Sequence, residues 1–199
     1  DDTPTVRAAG AELKRGLAGM LGRVPDAIPS NAKARAGTVV LARATLPAGL
    51  ADADAVRRDL ATVGPEGYVV RRTRQGGVPV TLIAANSDIG LLYGSFAWLR
   101  QLQLGTAPDS IALADKPALP LRVLNHWDNL DRTVERGYAG ESIWNWWELP
   151  NIVDPRYTDY ARANASLGIN GSVLNNVNAK AEVLSPAFIA KAAAIANVL

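Results

Sequence analysis

The chain has 199 residues, 48% apolar and 20% charged, with 21 Lys+Arg set against 19 Asp+Glu, a globular composition large enough for one big domain or one and a half average ones. The absence of cysteine excludes disulfides and thiolate metal sites, and a single histidine, His126, excludes a multi-histidine centre, so neither metal nor cofactor is expected. Near-even charge leaves no track for nucleic acid, and no apolar run approaches the ~20 residues of a membrane span.

The chain opens on the polar "DDTPTVRAAG", which is not a signal peptide and is compatible with the mature start left by one. A periplasmic or secreted location is the expectation, with the cytoplasm as the alternative. "AGAELKRGLAGMLGRVP" then places Leu13, Leu17, Met20 and Leu21 on one face of a helix. "GTVVLAR" (37–43) has the length and β-branching of a strand. "ADADAVRRDLATVG" reads as a surface helix ending at Gly64 and Pro65. "GYVVRRT" and "VPVTLIAA", joined by "RQGG", predict a hairpin turned by glycines, with the arginines of 69–77 facing water. Ser87 and Asp88 cap a helix that carries Ile89, Leu92, Phe96 and Leu99 on one face and ends near Gly105. The expectation for 1–115 is a small α/β sandwich, strands covered by helices.

Residues 105–120, "GTAPDSIALADKPALP", are rich in proline and small residues and read as a linker. "LRVLNHW" is then a strand followed by a long loop. Asp154 and Pro155 form an N-cap and N1 pair, opening a helix with Tyr157, Tyr160, Ala161 and Asn164 on one side that stops at Gly168. "INGSVLNNVN" is a second strand, and Ser185-Pro186 starts a last helix. Strand, loop, helix, repeated, is the rhythm of parallel α/β structure. Two such units cannot cover both faces of a parallel sheet, so 120–199 is expected to be the beginning of a larger domain.

In parallel α/β folds ligands sit at the C-terminal ends of strands. The two loops at those ends are "NHWDN" (125–129) and "NNVNA" (175–179), and neighbouring strands bring them to one rim. Asparagine amides and a carboxylate suit hydroxyl groups, and a tryptophan face packs on the C–H face of a sugar ring. Four of the five tryptophans lie in 125–150, which points to a carbohydrate cleft. Trp144, Trp146 and Trp147 are expected to anchor the long loop, whereas Trp127 is expected to meet ligand. His126 alternates out of phase with Trp127 and should pack or hydrogen-bond away from the cleft. Glu135 and Arg136 are expected to form an ion pair within the loop, and Asn164 to satisfy backbone groups near the next strand.

The string "LNHWDNLD…ERGYAGESIW", followed by "YARANASLGINGSVLNNVNA", closely resembles the glycoside hydrolase family 67 α-glucuronidases over roughly residues 121–180. Residues 1–115 resemble that family's N-terminal domain, itself similar to the non-catalytic domain before the barrel of β-hexosaminidases, with "LLYGSFAWLRQL" the shared stretch. The resemblance implies a small α/β domain followed, over 120–199, by the first two βα units of a (β/α)8 TIM barrel, with a helical C-terminal domain further on. It implies hydrolysis, with inversion, of the α-1,2 bond between (4-O-methyl)-D-glucuronic acid and xylooligosaccharides, the substrate partner being an aldouronic acid. Trp127 would form part of the uronic-acid pocket and Val177 would line the recess for the 4-O-methyl group. Asp128, Asn129, Asn175, Asn176 and Asn178 would be polar groups of the rim. No catalytic residue is assigned within 1–199, since the acid, the base and the cations for the uronate carboxylate would lie on later strands. A homodimer through the C-terminal domain is also implied. Arg132 stands where the family has glycine, which bears on the local turn. The alternatives are a non-catalytic carbohydrate-binding or accessory module, or another glycosidase that shares the N-terminal domain.

Overall fold

The computed structural model describes residues 3–29, 32–43 and 45–199; the first two residues of the polar start lie outside the described residues. The chain divides into two compact units, Asp1–Ala118 and Leu119–Leu199, both mixed α/β.

In the first unit, helix α1 (Pro4–Leu21) starts at Thr3, whose side chain accepts from the Val6 N–H, and ends at Gly22 in the left-handed conformation. Strand β1 (Val39–Ala42), helix α2 (Ala53–Val63), strands β2 (Tyr68–Gln75) and β3 (Val78–Ala85) and helix α3 (Asp88–Gln103) follow. The β2–β3 hairpin closes through Gly76 and Gly77, both at positive φ (56° and 83°), and Gln75 pairs with Val78. A two-residue turn with both φ angles positive matches the right-handed twist of the strands, which is why two glycines stand there.

Period-two alternation along the hairpin builds a core on each face of the sheet. Val69, Leu82 and Ala84 pack with Val56, Leu60 and Val63 of α2. Val70, Ile83 and Ala85 pack with Leu13 of α1 and Leu91, Trp98 and Leu99 of α3. The two helices on this face approach closely at Gly16, where a Cβ would lie 2.7 Å from the Leu99 side chain.

Several details depart from the sequence expectation. Of the four predicted α1 positions only Leu13 is buried, beside Ala9 and Glu12, and Leu17 packs next to it, while Met20 and Leu21 in the last turn are exposed. Of the predicted α3 face Leu92 and Leu99 are buried and Ile89 and Phe96 are half-buried, while Leu91, Tyr93, Ser95 and Trp98 are buried as well, so the helix is covered over much of its circumference. The stretch 105–120, read as a linker, carries strand β4 (Ala112–Asp115), which pairs antiparallel with β2 and completes the order β1-β3-β2-β4. Ile111, just before it, is buried. The basic run does not simply face water: Arg71 bridges Asp52 and Asp59, and Arg72 pairs with Asp109 at 3.0 Å.

In the second unit, β5 (Val123–Asn125) runs parallel to β6 (Gly171–Val173), with Leu124 opposite Ser172. Helix α4 (Pro155–Ser166) lies between them in sequence, and α5 (Pro186–Ala196) follows β6. Both helices start as the sequence predicts: Asp154 accepts from the Arg156 N–H at 2.8 Å and Ser185 from the Phe188 N–H at 3.4 Å, each before a proline. The pairing begins before the strands. Asn170 accepts from the Arg122 N–H (2.9 Å) and donates to the Pro120 carbonyl (2.8 Å), clamping the approach to β5.

The core of this unit is Trp144, Trp146, Leu149, Tyr157 and Ile195, with Leu174, Tyr160 and Phe188 against it. Strand residues that face α4 and the loop, among them His126, Asp128, Leu174 and Asn176, are half-buried or buried. Those on the opposite face are open: Val123 is 41% exposed, Val173 42% and Trp127 43%. The helix face is covered toward the C-terminal ends of the strands, while Leu124 at its start is 39% exposed.

Candidate functional site

The parallel register of β5 and β6 continues past the strand ends. His126 donates its N–H to the Val173 carbonyl (2.9 Å), and Asn176 donates to the Asp128 carbonyl (2.7 Å). The "HWDN" and "NNVN" segments are thereby held edge to edge, as neighbouring strands require. Side-chain alternation then separates two sets. His126, Asp128 and Asn176 turn toward the helices; Trp127 and Val177 turn to the open face.

The inward set is bound tightly. Asp128 is 4% exposed, its carboxylate accepting from the Ser142 hydroxyl and standing 3.5 Å from His126 Nδ1. Ser142 Oγ in turn accepts from the Trp144 N–H at 2.9 Å. His126 Nε2 lies 2.7 Å from the Tyr160 hydroxyl, which lies 2.9 Å from Ser172 Oγ. The His126 ring also packs on Trp144, with centroids 5.3 Å apart. The expectation that His126 packs away from the cleft is met by these contacts.

The loop after Trp127 folds back on itself. Bridges join Asp128 to Val134 and Thr133 to Glu141, and Glu135 donates its N–H to the Trp127 carbonyl at 2.8 Å. Asn129 spends its amide inside this loop, donating to Thr133 Oγ1 (2.9 Å) and the Glu135 carbonyl (2.8 Å). Asp131 accepts from both the hydroxyl and the N–H of Thr133, and these hydrogen bonds, the hydroxyl first, hold its pKa below the ordinary carboxylate value. Arg132 adopts φ +69°, a left-handed conformation natural to glycine, and its guanidinium donates to the Ser142 carbonyl at 3.2 Å. The turn therefore survives the arginine at a cost in backbone strain that this hydrogen bond partly offsets.

Of the seven predicted site residues, the described structure brings Trp127, Asp128, Asn129, Asn175, Asn176, Val177 and Asn178 onto one pair of loops. Asn175 donates to the Asn176 carbonyl (3.1 Å), and Asn176 Oδ1 accepts from the Asn178 N–H (2.9 Å), so the asparagines shape the second loop first. Asp128 and Asn176 are buried braces, Asn129 and Asn175 are half-buried, and the outward groups are Trp127, Val177 at 77% exposure and Asn178. Trp144 and Trp146 are wholly buried anchors. Trp147 is not: it is 68% exposed, because it follows Trp146 and points the opposite way from the core. Glu135 and Arg136 approach only to 4.0 Å with Arg136 open to solvent, and the loop is held by backbone bonds instead. Sequence reasoning missed Ser142, Tyr160 and Ser172 as braces of the rim; the signal available was the period of α4, which places Tyr160 beside Tyr157 on its inner face. Among the described residues no three His, Asp or Glu side chains converge as metal ligands would.

An outward indole and an outward valine on a rim of fixed asparagines can pack on a partly apolar, hydroxyl-rich molecule. Comparison with known proteins bears on what that molecule is. The family model described as "Glycosyl hydrolase family 67 N-terminus" matches residues 1–98, and that of the "Glycosyl hydrolase family 67 middle domain" matches residues 101–199. The "Probable alpha-glucuronidase A" of Aspergillus oryzae is 34% identical over 199 residues, covering 99% of this chain and 22% of its own length. The similarly named protein of Aspergillus terreus is 43% identical over 118 residues, 58% of this chain and 14% of that protein. The "Alpha-glucuronidase A" of Emericella nidulans is 39% identical over 112 residues, 54% of this chain and 13% of that protein. The chain thus spans about a fifth of the length of a relative that it matches from end to end.

Proposed function

The chain belongs to glycosyl hydrolase family 67, and from that premise we propose that it builds one wall of the sugar site of an α-glucuronidase. The reaction is hydrolysis of the α-1,2 bond between (4-O-methyl)-D-glucuronic acid and a xylooligosaccharide, with inversion at the anomeric carbon. The observation that carries this reading is the open face of the β5–β6 pair. Its helix side is packed at His126, Asp128, Leu174 and Asn176, its other side is exposed, and the residues at its C-terminal rim on that exposed side are an indole and a valine. A parallel pair of this kind is compatible with the opening of a (β/α)8 barrel, whose strands carry substrate-binding residues at their C-terminal ends.

In this reading Asp1–Ala118 is the non-catalytic α/β domain and Leu119–Leu199 supplies the first two βα units of the barrel. Trp127 packs on the face of the uronic acid, Val177 receives the 4-O-methyl group, and Asn178 offers a hydrogen bond at the rim. Asp128, Asn129, Asn175 and Asn176 hold those groups in place through the bonds described above. The carboxylates that protonate the leaving oxygen and activate water belong to strands outside the stretch matched here, and residues 1–199 alone are inactive. The whole enzyme acts on an aldouronic acid and forms a homodimer through its C-terminal domain.

The test is kinetic, in the whole enzyme. Trp127→Ala should lower kcat/KM on aldouronic acid by about tenfold to a hundredfold, the range for loss of an aligned contact of ~1–3 kcal/mol. The melting temperature should hardly change, because Trp127 is far from buried. Normal kcat/KM in the folded variant would remove Trp127 from the site.

A further inference from the structure

The inward hydrogen-bond chain around His126 has a direction. A carboxylate only accepts, so the proton of a neutral His126 is on Nδ1, facing Asp128 at 3.5 Å. Nε2 is then an acceptor, so the Tyr160 hydroxyl at 2.7 Å donates to it, and the Tyr160 oxygen is left to accept from Ser172 at 2.9 Å. Every member has a partner, and the chain runs from β6 through α4 to the end of β5 and, through Asp128 and Ser142, into the loop. The two residues flanking Trp127 are thus both fixed from the helix side. Among the described residues none makes a hydrogen bond or ring contact with the Trp127 indole, while the Trp127 carbonyl is held by the Glu135 N–H at 2.8 Å.

We propose that His126 and Tyr160 are positioning residues for Trp127. Together with Asp128 they fix the backbone on either side of it, so that the indole leaves the rim on the open face. This deepens the sugar-site reading and rests on it for its functional consequence. The mechanical part stands on geometry alone: two inward side chains at alternate positions of an extended segment determine where the side chain between them points. A pocket that gains from a pre-oriented aromatic platform loses affinity when the platform is free to turn.

Tyr160→Phe is the informative change, since it keeps the ring against Trp144 and His126 and removes only the hydroxyl. The whole enzyme is labelled with 5-fluorotryptophan, and the Trp127, Trp144 and Trp146 signals are identified by single Trp→Phe replacements. In Tyr160→Phe the Trp127 fluorine signal should shift or broaden while that of Trp146 stays in place, and KM for aldouronic acid should rise about fivefold with little change in kcat, as expected for one lost hydrogen bond. Ser172→Ala, which frees the far end of the chain, should move the same signal less. An unaltered Trp127 signal in both variants overturns the positioning role whatever the kinetics show, and so does a shift of the Trp127 and Trp146 signals together, which would mean general loosening. A moved Trp127 signal with unchanged KM keeps the positioning role and sinks instead the reading that Trp127 meets the sugar.

Discussion

Replacing Trp144 separates what holds the rim from what touches ligand. Its side chain is fully buried, with ring centroids 5.1 Å from Tyr157 and 5.3 Å from both His126 and Tyr160. Truncation to alanine removes one of the two buried indoles of this small core and should cost about 3–5 kcal/mol, the range for buried aromatic residues. Among the described residues the indole Nε1 has no hydrogen-bond partner, so burying it already costs about 1–3 kcal/mol that phenylalanine would not incur. Trp144→Phe therefore loses part of a ring but sheds a buried orphan donor, and its net cost should stay below about 2 kcal/mol. Amide hydrogen exchange in α4 and α5 reads this unit alone. At 1.4 kcal/mol per factor of ten, alanine should speed the slowest amides there by more than about a hundredfold and phenylalanine by less than about thirtyfold. Equal acceleration by the two substitutions, or an effect of alanine below about tenfold, would refute the assignment of Trp144 as the anchor and of its N–H as unsatisfied.

Three further expectations bear on particular residues. Gly67→Ala should destabilise the first unit by about 1–3 kcal/mol in urea unfolding, since a Cβ there would lie 2.2 Å from the Val63 carbonyl oxygen and 2.8 Å from that of Asp115. Burial, and secondarily the Asp115 carboxylate, push the Tyr68 phenol up to about 12. The folded state then keeps a proton that the unfolded chain has released, so stability contributed by Tyr68 falls as pH rises from about 10 to about 12. Ultraviolet titration should show a late-ionising component that Tyr68→Phe removes. Thr133→Val should raise the titration midpoint of Asp131, followed by its carboxyl carbon resonance, because both the first and the second cause of its lowering are bonds from Thr133, and only the hydroxyl bond is lost.

How much of this was legible in the sequence depends on the range of the forces involved. Elements set by local chemistry were readable: the Asp154-Pro155 and Ser185-Pro186 starts, the Gly76-Gly77 turn and the alternation that turns His126 inward and Trp127 outward. The strand at Ala112–Asp115 was hidden because it is short, carries a lysine and prolines just after it, and is made a strand by β2 and not by its own composition. The α3 face was only half right, Leu92 and Leu99 being buried and Ile89 and Phe96 not, because that helix is apolar nearly all round and its period leaves the buried side broad. At the rim, residue types pointed to a sugar, but they could not show that Asp128 and Asn176 would be buried braces, since that depends on Ser142 and on the long-range pairing of two loops. The left-handed turn at Arg132 was flagged by a missing glycine, and only the structure shows the Ser142 carbonyl that compensates.

The most direct measurement is a crystal structure of the whole enzyme with 4-O-methyl-D-glucuronic acid bound. The sugar ring should lie in van der Waals contact with the Trp127 indole and its methyl group against the Val177 side chain, with the Asp128–Ser142 and Asn176–Asp128 bonds unchanged. A sugar bound elsewhere, with Trp127 and Val177 covered by other parts of the protein, would contradict the assignment of this rim as a wall of the site.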